Sequence, residues 1–232
     1  MKTFDSQRLP RTVAGLSLIL APLFLIASAL VCPGLESDEG AQLDVIAQHP
    51  SRWYWFTLLL LLGSMLLIPA LLGIAALVRE RAPRLGNLGG GLAVLGSLVA
   101  IGDVMSQFVS WQMVGNGADH AQMAALLKRF DEAAGIGAVF SVGGLAVLIG
   151  VVLLTVGLIR AHAAPAWAAI GLTVGTLLNI ATFSSASNGG VAASWVVLLV
   201  AMGWIGKTVL AASAESRSSL QSARVQAAPG SR

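Results

Sequence analysis

A chain of 232 residues that is 56% hydrophobic and 11% charged, with a mean hydropathy of +0.81, is not an ordinary soluble domain. Its net charge of +3 and pI near 9.6 do not mark nucleic-acid binding, because the basic residues are scattered through short loops, where membrane topology accounts for them. Cys32 is the only cysteine, which excludes an internal disulfide.

Residues 1–11 are polar and basic (Lys2, Arg8, Arg11), and the first apolar run follows at about 12–31. Ala27-Ser28-Ala29 has the form of a signal-peptidase site, which leaves cleavage of residues 1–29 open. The apolar run continues past that site and outlasts a signal h-region, which favours a retained span. Val31 before Cys32 departs from the small residue of a lipoprotein signal. Pro22 is tolerable inside a spanning helix, where neighbouring groups satisfy the freed carbonyl.

Pro33 and Gly34 end this span, and LESDEGAQLDVIAQHP then reads as a short surface helix. Ser37 is its expected cap, Asp38 and Glu39 suit its positive N-terminus, and Pro50 stops it. Trp53, Tyr54 and Trp55 read as an interfacial aromatic belt at the start of a second span, which reaches about Val78 with Pro69 inside. Arg79, Glu80, Arg81 and Arg84 make a basic turn.

The third span, about 86–112, carries a single carboxylate, Asp103. At helical spacing Gly89, Ala93, Gly96, Ala100, Asp103 and Gln107 share one face. Small residues along a face let another helix approach closely, and an acid at membrane depth should turn inward. Beyond it, Asp119 and Gln122 have the form of a capping box, with Asp in place of Ser or Thr. Met123, Leu126, Leu127 and Phe130 then mark a second amphipathic surface helix. Both surface helices begin with Ala-Gln-apolar (Ala41-Gln42-Leu43 and Ala121-Gln122-Met123), the trace of a duplication or a coincidence in an Ala-rich chain.

Spans four, five and six follow at about 135–159, 166–183 and 192–212. Residues 213–232 lack apolar periodicity and are expected to be a disordered tail. With both termini in the cytoplasm, Lys2, Arg8, Arg11, Arg79, Arg81, Arg84, Arg160, Lys207, Arg217, Arg224 and Arg232 face inward, and Arg52, Lys128 and Arg129 face outward. The positive-inside bias selects that orientation. The expected fold is all-α: a transmembrane domain over 12–212 with six helices as three hairpins, and two short amphipathic helices over the outer face.

Span five carries a face of its own, with Ala168, Gly171, Gly175, Asn179 and Thr182; Gly171 and Gly175 form a GxxxG pair. Asn179 lies at about the depth of Asp103, so spans three and five are expected to meet there, with Ser106, Gln107 and Thr182 nearby. Two readings stand side by side. Asp103, Gln107, Ser106, Asn179 and Thr182 line an outward-open polar pocket or proton relay, or they are interhelical bonds that fix register.

His49 and His120 stand beside the surface helices and His162 in a basic turn; with no HxxxH, HExxH or CxxC, no metal site is expected. Haem ligation lacks mid-membrane histidines. A rhomboid-type protease lacks its GxSG, since Gly96-Ser97 has no second glycine at the required place. The glycines at 89–91 run straight into a span and are no phosphate loop. No cofactor is implied.

The Arg11-Thr12-Val13-Ala14-Gly15-Leu16 entry, the His49-Pro50-Ser51-Arg52-Trp53 loop end and Pro69-Ala70-Leu71-Leu72-Gly73 resemble a bacterial six-span family described only as an integral membrane domain of unknown function. The resemblance implies six helices in a bacterial cytoplasmic membrane and carries over no catalytic residue.

The leading expectation is a non-enzymatic membrane protein that binds a lipid, a small apolar ligand or a partner subunit, a second copy included, through an outer-facing pocket between spans three and five. The alternative is a small transporter or proton-coupled carrier using Asp103. An intramembrane enzyme ranks third.

Overall fold

The computed structural model describes residues 8–36, 38–115 and 119–227, and the side chains among them except 8–10, 120, 131, 134 and 212–227. Among the described residues all regular secondary structure is α-helix: α1 (Arg8–Val31), α2 (Glu39–Gln48), α3 (Pro50–Arg79), α4 (Pro83–Met113), α5 (His120–Asp131), α6 (Ala134–Arg160), α7 (Ala166–Ser184) and α8 (Asn188–Ala227). α1, α3, α4, α6, α7 and α8 are long and apolar enough to cross a membrane, so the chain is an integral multi-pass membrane protein. Leu20, Leu62, Leu95, Val142, Val174 and Val200 point outward from these helices, an apolar exterior that suits lipid.

Local chemistry sets the boundaries. Proline opens α3 and α4, where its missing N–H is no loss. Asp38 caps α2 by accepting from the Ala41 N–H at 2.9 Å, so the cap is one residue beyond Ser37, which lies outside the described residues. Asp119 caps α5 as expected, accepting from the N–H groups of Ala121 and Gln122. α6 and α7 end in left-handed residues, His162 and Ala186, and the next N–H reaches back to Leu158 O and Thr182 O respectively.

The six spans pack in the cyclic order α1, α3, α4, α6, α7, α8, with α8 closing the ring against α1. Small residues make the tight seams. A Cβ on Gly89 would lie 3.0 Å from the Gly150 carbonyl oxygen, and one on Gly96 would strike Gly143 and Val147, so the small face of α4 packs on α6. Gly171 abuts Ala201, and Gly175 abuts Leu198, so the corresponding face of α7 packs on α8. The two faces therefore meet other neighbours than each other. The seam between α6 and α7 is the thinnest in the ring.

The two ends of the bundle differ. At the basic end, Val78, Leu158, Ile205 and Leu154 are buried in one core, Arg81 donates to Ala161 O at 2.7 Å, and an exposed Arg11–Glu80 pair spans 3.2 Å. Trp167 and Trp204 meet edge-on at 5.4 Å there, beside Lys207. At the cap end, α2 and α5 pack together over a second cluster of Cys32, Leu43, Ile46, Trp53 and Phe56. Trp53 is 1% exposed, so it is a core anchor and only Trp55 of the expected belt faces out. Of the α5 stripe, Met123 and Leu127 pack on this cluster, whereas Leu126 and Phe130 are exposed.

α1–α2–α3 and α4–α5–α6 repeat one plan, a long helix, a short cap helix and a long helix, with Leu43 and Met123 of the matched triplets in the same cluster. Helical backbone continues past the last span to Ala227. A helix already nucleated extends at little cost through Ala, Ser, Gln, Glu and Arg.

Candidate functional site

Because the ring is tight at the basic end and thin between α6 and α7, it encloses a cavity of about 300 Å³. All six spans contribute to its wall. Its floor is Leu154, Leu172 and Met202, and its cap-end boundary includes Cys32, Leu35 and Asn188. Most of the wall is apolar, and the polar groups on it are few: Ser28, Ser64, Ser97, Asp103, Thr176, Asn179 and Asn188. Several of these are engaged locally. Ser28 donates to Phe56 O at 3.1 Å, Ser97 to Ala93 O and Thr176 to Leu172 O, both at 2.8 Å.

The cavity opens sideways. α6 and α7 are tied near the basic end, where Thr155 Oγ1 donates to Ala169 O at 3.0 Å and Thr173 Oγ1 to Thr155 Oγ1 at 2.9 Å. Towards the cap end no hydrogen bond joins the two helices among the described residues, and Val139, Val142 and Leu145 on α6 and Leu177, Ile180 and Phe183 on α7 are exposed. Ala100, Gly144, Ile180 and Phe183 are both exposed and on the cavity wall. The mouth is therefore a lateral gap with α4 and α6 on one side and α7 on the other. Nothing lies within 4 Å of a Cβ built on Gly144, which leaves that edge open.

Asp103 and Asn179 both line this cavity, although α4 and α7 share no packing interface. Asn179 Nδ2 donates to Ser194 Oγ at 3.0 Å, and Ser194 is fully buried on α8. The other expected pocket residues point elsewhere. Ser106 Oγ donates to Asp103 O within its own helix at 2.6 Å, and Thr182 Oγ1 bonds Leu178 O and Asn179 O. Gln107 offers its backbone oxygen to Trp53 Nε1 at 3.2 Å. Ala100 belongs to the cavity wall and not to a helix seam.

Asn188 and Cys32 line the cavity as well, although no motif in the sequence marks them as pocket residues. Asn188 Oδ1 is buried without a hydrogen-bond partner among the described residues. Its side chain neighbours the Cys32 thiol, which burial pushes above its ordinary titration range while Arg52 and Asn188 pull it back. Their only sequence signal is position: Asn188 ends a turn-rich SSASNGG loop, and Cys32 follows directly on a span.

His49 and His162 are exposed at opposite ends of the bundle, and no three His, Cys, Asp or Glu side chains cluster as a metal site among the described residues. The chain matches no family model, no curated protein and no solved structure. The resemblance carried by its motifs thus extends to the six-span architecture and to no identified family.

Proposed function

We propose that the chain is a non-enzymatic protein of the bacterial cytoplasmic membrane that binds a lipid or small apolar ligand inside its helix ring. The basic end and both termini face the cytoplasm in this reading, and the α2–α5 cap faces outward. The observation that carries it is the apolar cavity of about 300 Å³ with a mouth in the side of the bundle. Ligand sites are mostly apolar concavities with a few placed polar groups, and a lateral mouth admits a ligand from the bilayer without passage through water. Leu154, Leu172 and Met202 seal the floor above the packed basic end, which supports a binding site over a carrier path through Asp103.

Native mass spectrometry of gently extracted protein should reveal a co-purifying apolar molecule. Gly144→Trp, placed where a side chain meets nothing within 4 Å, should fold normally and lose that molecule by blocking the mouth. Wild-type protein that never retains an adduct, even when supplied with native lipid, would refute the proposal. Orientation is tested separately, with cysteines at the exposed Ser187 and Glu80 in a Cys32→Ser background. An impermeant maleimide should label only position 187 in intact cells.

A further inference from the structure

The cap end of the cavity carries few polar groups, and one of them holds an unmet acceptor. Asn188 Oδ1 is buried and unpartnered among the described residues, and an unmet acceptor at membrane depth is costly. No Lys, Arg or His is on the wall among the described residues. Arg52 lies beside Cys32, but it is exposed and donates to the carbonyl oxygens of Val31 and Cys32 at 3.3 and 3.5 Å.

We propose that the occupant is a single-chain amphiphile whose head donates hydrogen bonds and carries no negative charge, a long-chain alcohol or amine, with the head at Asn188 and the chain running towards the floor at Met202. This rests on the cavity being a ligand site. Three features converge on it. The orphan acceptor at Asn188 gains a donor when its amide turns towards the cavity that the residue lines. The wall, with no cation among its described residues, disfavours a carboxylate or phosphate, which would be buried without a counter-charge. A cavity of about 300 Å³ is at the small end for ligand sites, which suits one chain and not the two of a phospholipid.

Trp195 lies on the cavity wall and supplies the readout, because bromine quenches indole fluorescence on contact. The probes are ω-bromododecanol, ω-bromododecylamine and ω-bromododecanoate, titrated into detergent-purified protein at mildly alkaline pH, with Trp195→Phe run in parallel to isolate the Trp195 signal. The alcohol and amine should quench saturably, and the carboxylate should bind at least about tenfold more weakly. Asn188→Leu should weaken the alcohol by about tenfold, the loss of one buried hydrogen bond. Asn188→Asp should bind the amine more tightly than wild type does, a gain that misfolding does not produce. A carboxylate that binds as well as the alcohol, or an Asn188→Asp protein with weakened amine binding, would overturn the head-group assignment and leave the cavity standing as a ligand site. No saturable quenching of Trp195 by any probe would overturn both.

Discussion

Trp53 Nε1 on α3 donates to the backbone oxygen of Gln107 on α4 at 3.2 Å, and the indole itself is 1% exposed. One side chain thus joins two spans and the cap, since it is buried in one cluster with Leu43 and Ile46 of α2, with the Phe56 ring of its own helix 5.0 Å away between centroids. Buried indoles need such a partner for the N–H, and a helix carbonyl tilted off its axis can supply one.

Trp53→Ala should therefore be severe, by about 3–5 kcal/mol, as expected for emptying a buried aromatic site. Trp53→Phe retains most of the ring volume and loses one hydrogen bond, so its cost should be about 1 kcal/mol. Melting temperatures in detergent check the order. Equal losses for the two variants would mean that the hydrogen bond, and not the packing, holds the joint.

The cap helix α5 gives a second comparison. Leu127 packs on the cap cluster, whereas Lys128 is exposed and only 3.9 Å from Glu132 in a solvated pair. Leu127→Glu should lower the melting temperature by the equivalent of about 2 kcal/mol or more, since it buries a charge and removes a leucine. Lys128→Glu loses a surface pair and should cost about 0.5 kcal/mol. Matching effects would show that α5 lies loosely on the bundle.

These two tests fall on elements of unequal legibility in the sequence. Each span announces itself by a long, predominantly apolar run, and the α5 cap by Asp119 at its start, because both signals are local. The partners are not local. Gly89, Ala93 and Gly96 mark a face that must be closely approached, yet nothing in their spacing says whether α6 or α7 approaches it; the cyclic order of the ring decides that. Trp53 reads as an interfacial aromatic for the same reason: composition places it at a span end, and only the position of Gln107 on another helix makes it a core residue. Of the candidate pocket, Asp103 and Asn179 line one cavity, and their similar depth is the only feature of it that the sequence carries. Ser106 and Thr182 show a signal that sequence does not carry: hydroxyls on helices can bond the preceding turn of their own helix, as both do. Asn188 carries no periodic signal, since it sits where a loop becomes a helix.

Cys32 yields a prediction in pH. Burial raises its thiol above the ordinary value of 9.0, so the folded state prefers the neutral form more strongly than the unfolded state does. The contribution is therefore fully present below that value and is lost as pH rises from it through the folded titration. Wild-type protein should lose melting temperature above about pH 9 relative to Cys32→Ala, and the two should run parallel below it. Parallel curves across the whole range would show that the thiol gains its charge without penalty, and hence that it is hydrated.

The last prediction isolates close helix approach from every other property of glycine. Gly150, Gly91 and Gly102 all lie inside membrane-spanning helices, so glycine-to-alanine substitution carries the same intrinsic helix gain at each, at most about 1 kcal/mol. Their surroundings differ. A Cβ on Gly150 would run into the backbone of Ala93 and lie 2.8 Å from the Gly89 carbonyl oxygen, so relief requires α4 and α6 to move apart. Nothing lies within 4 Å of a Cβ on Gly91 or Gly102. Gly150→Ala should destabilise by about 1–3 kcal/mol, as overpacking does, whereas Gly91→Ala and Gly102→Ala should be neutral or slightly stabilising. Because the α4–α6 seam also holds one edge of the cavity mouth, Gly150→Ala should in addition weaken retention of any co-purifying ligand, and the other two should leave it unchanged. Detergent melting and native mass spectrometry on the same three preparations decide the matter, and a Gly150→Ala protein as stable as wild type would mean that α4 and α6 are further apart in the membrane than 3.0 Å from Cβ to carbonyl at Gly89 requires.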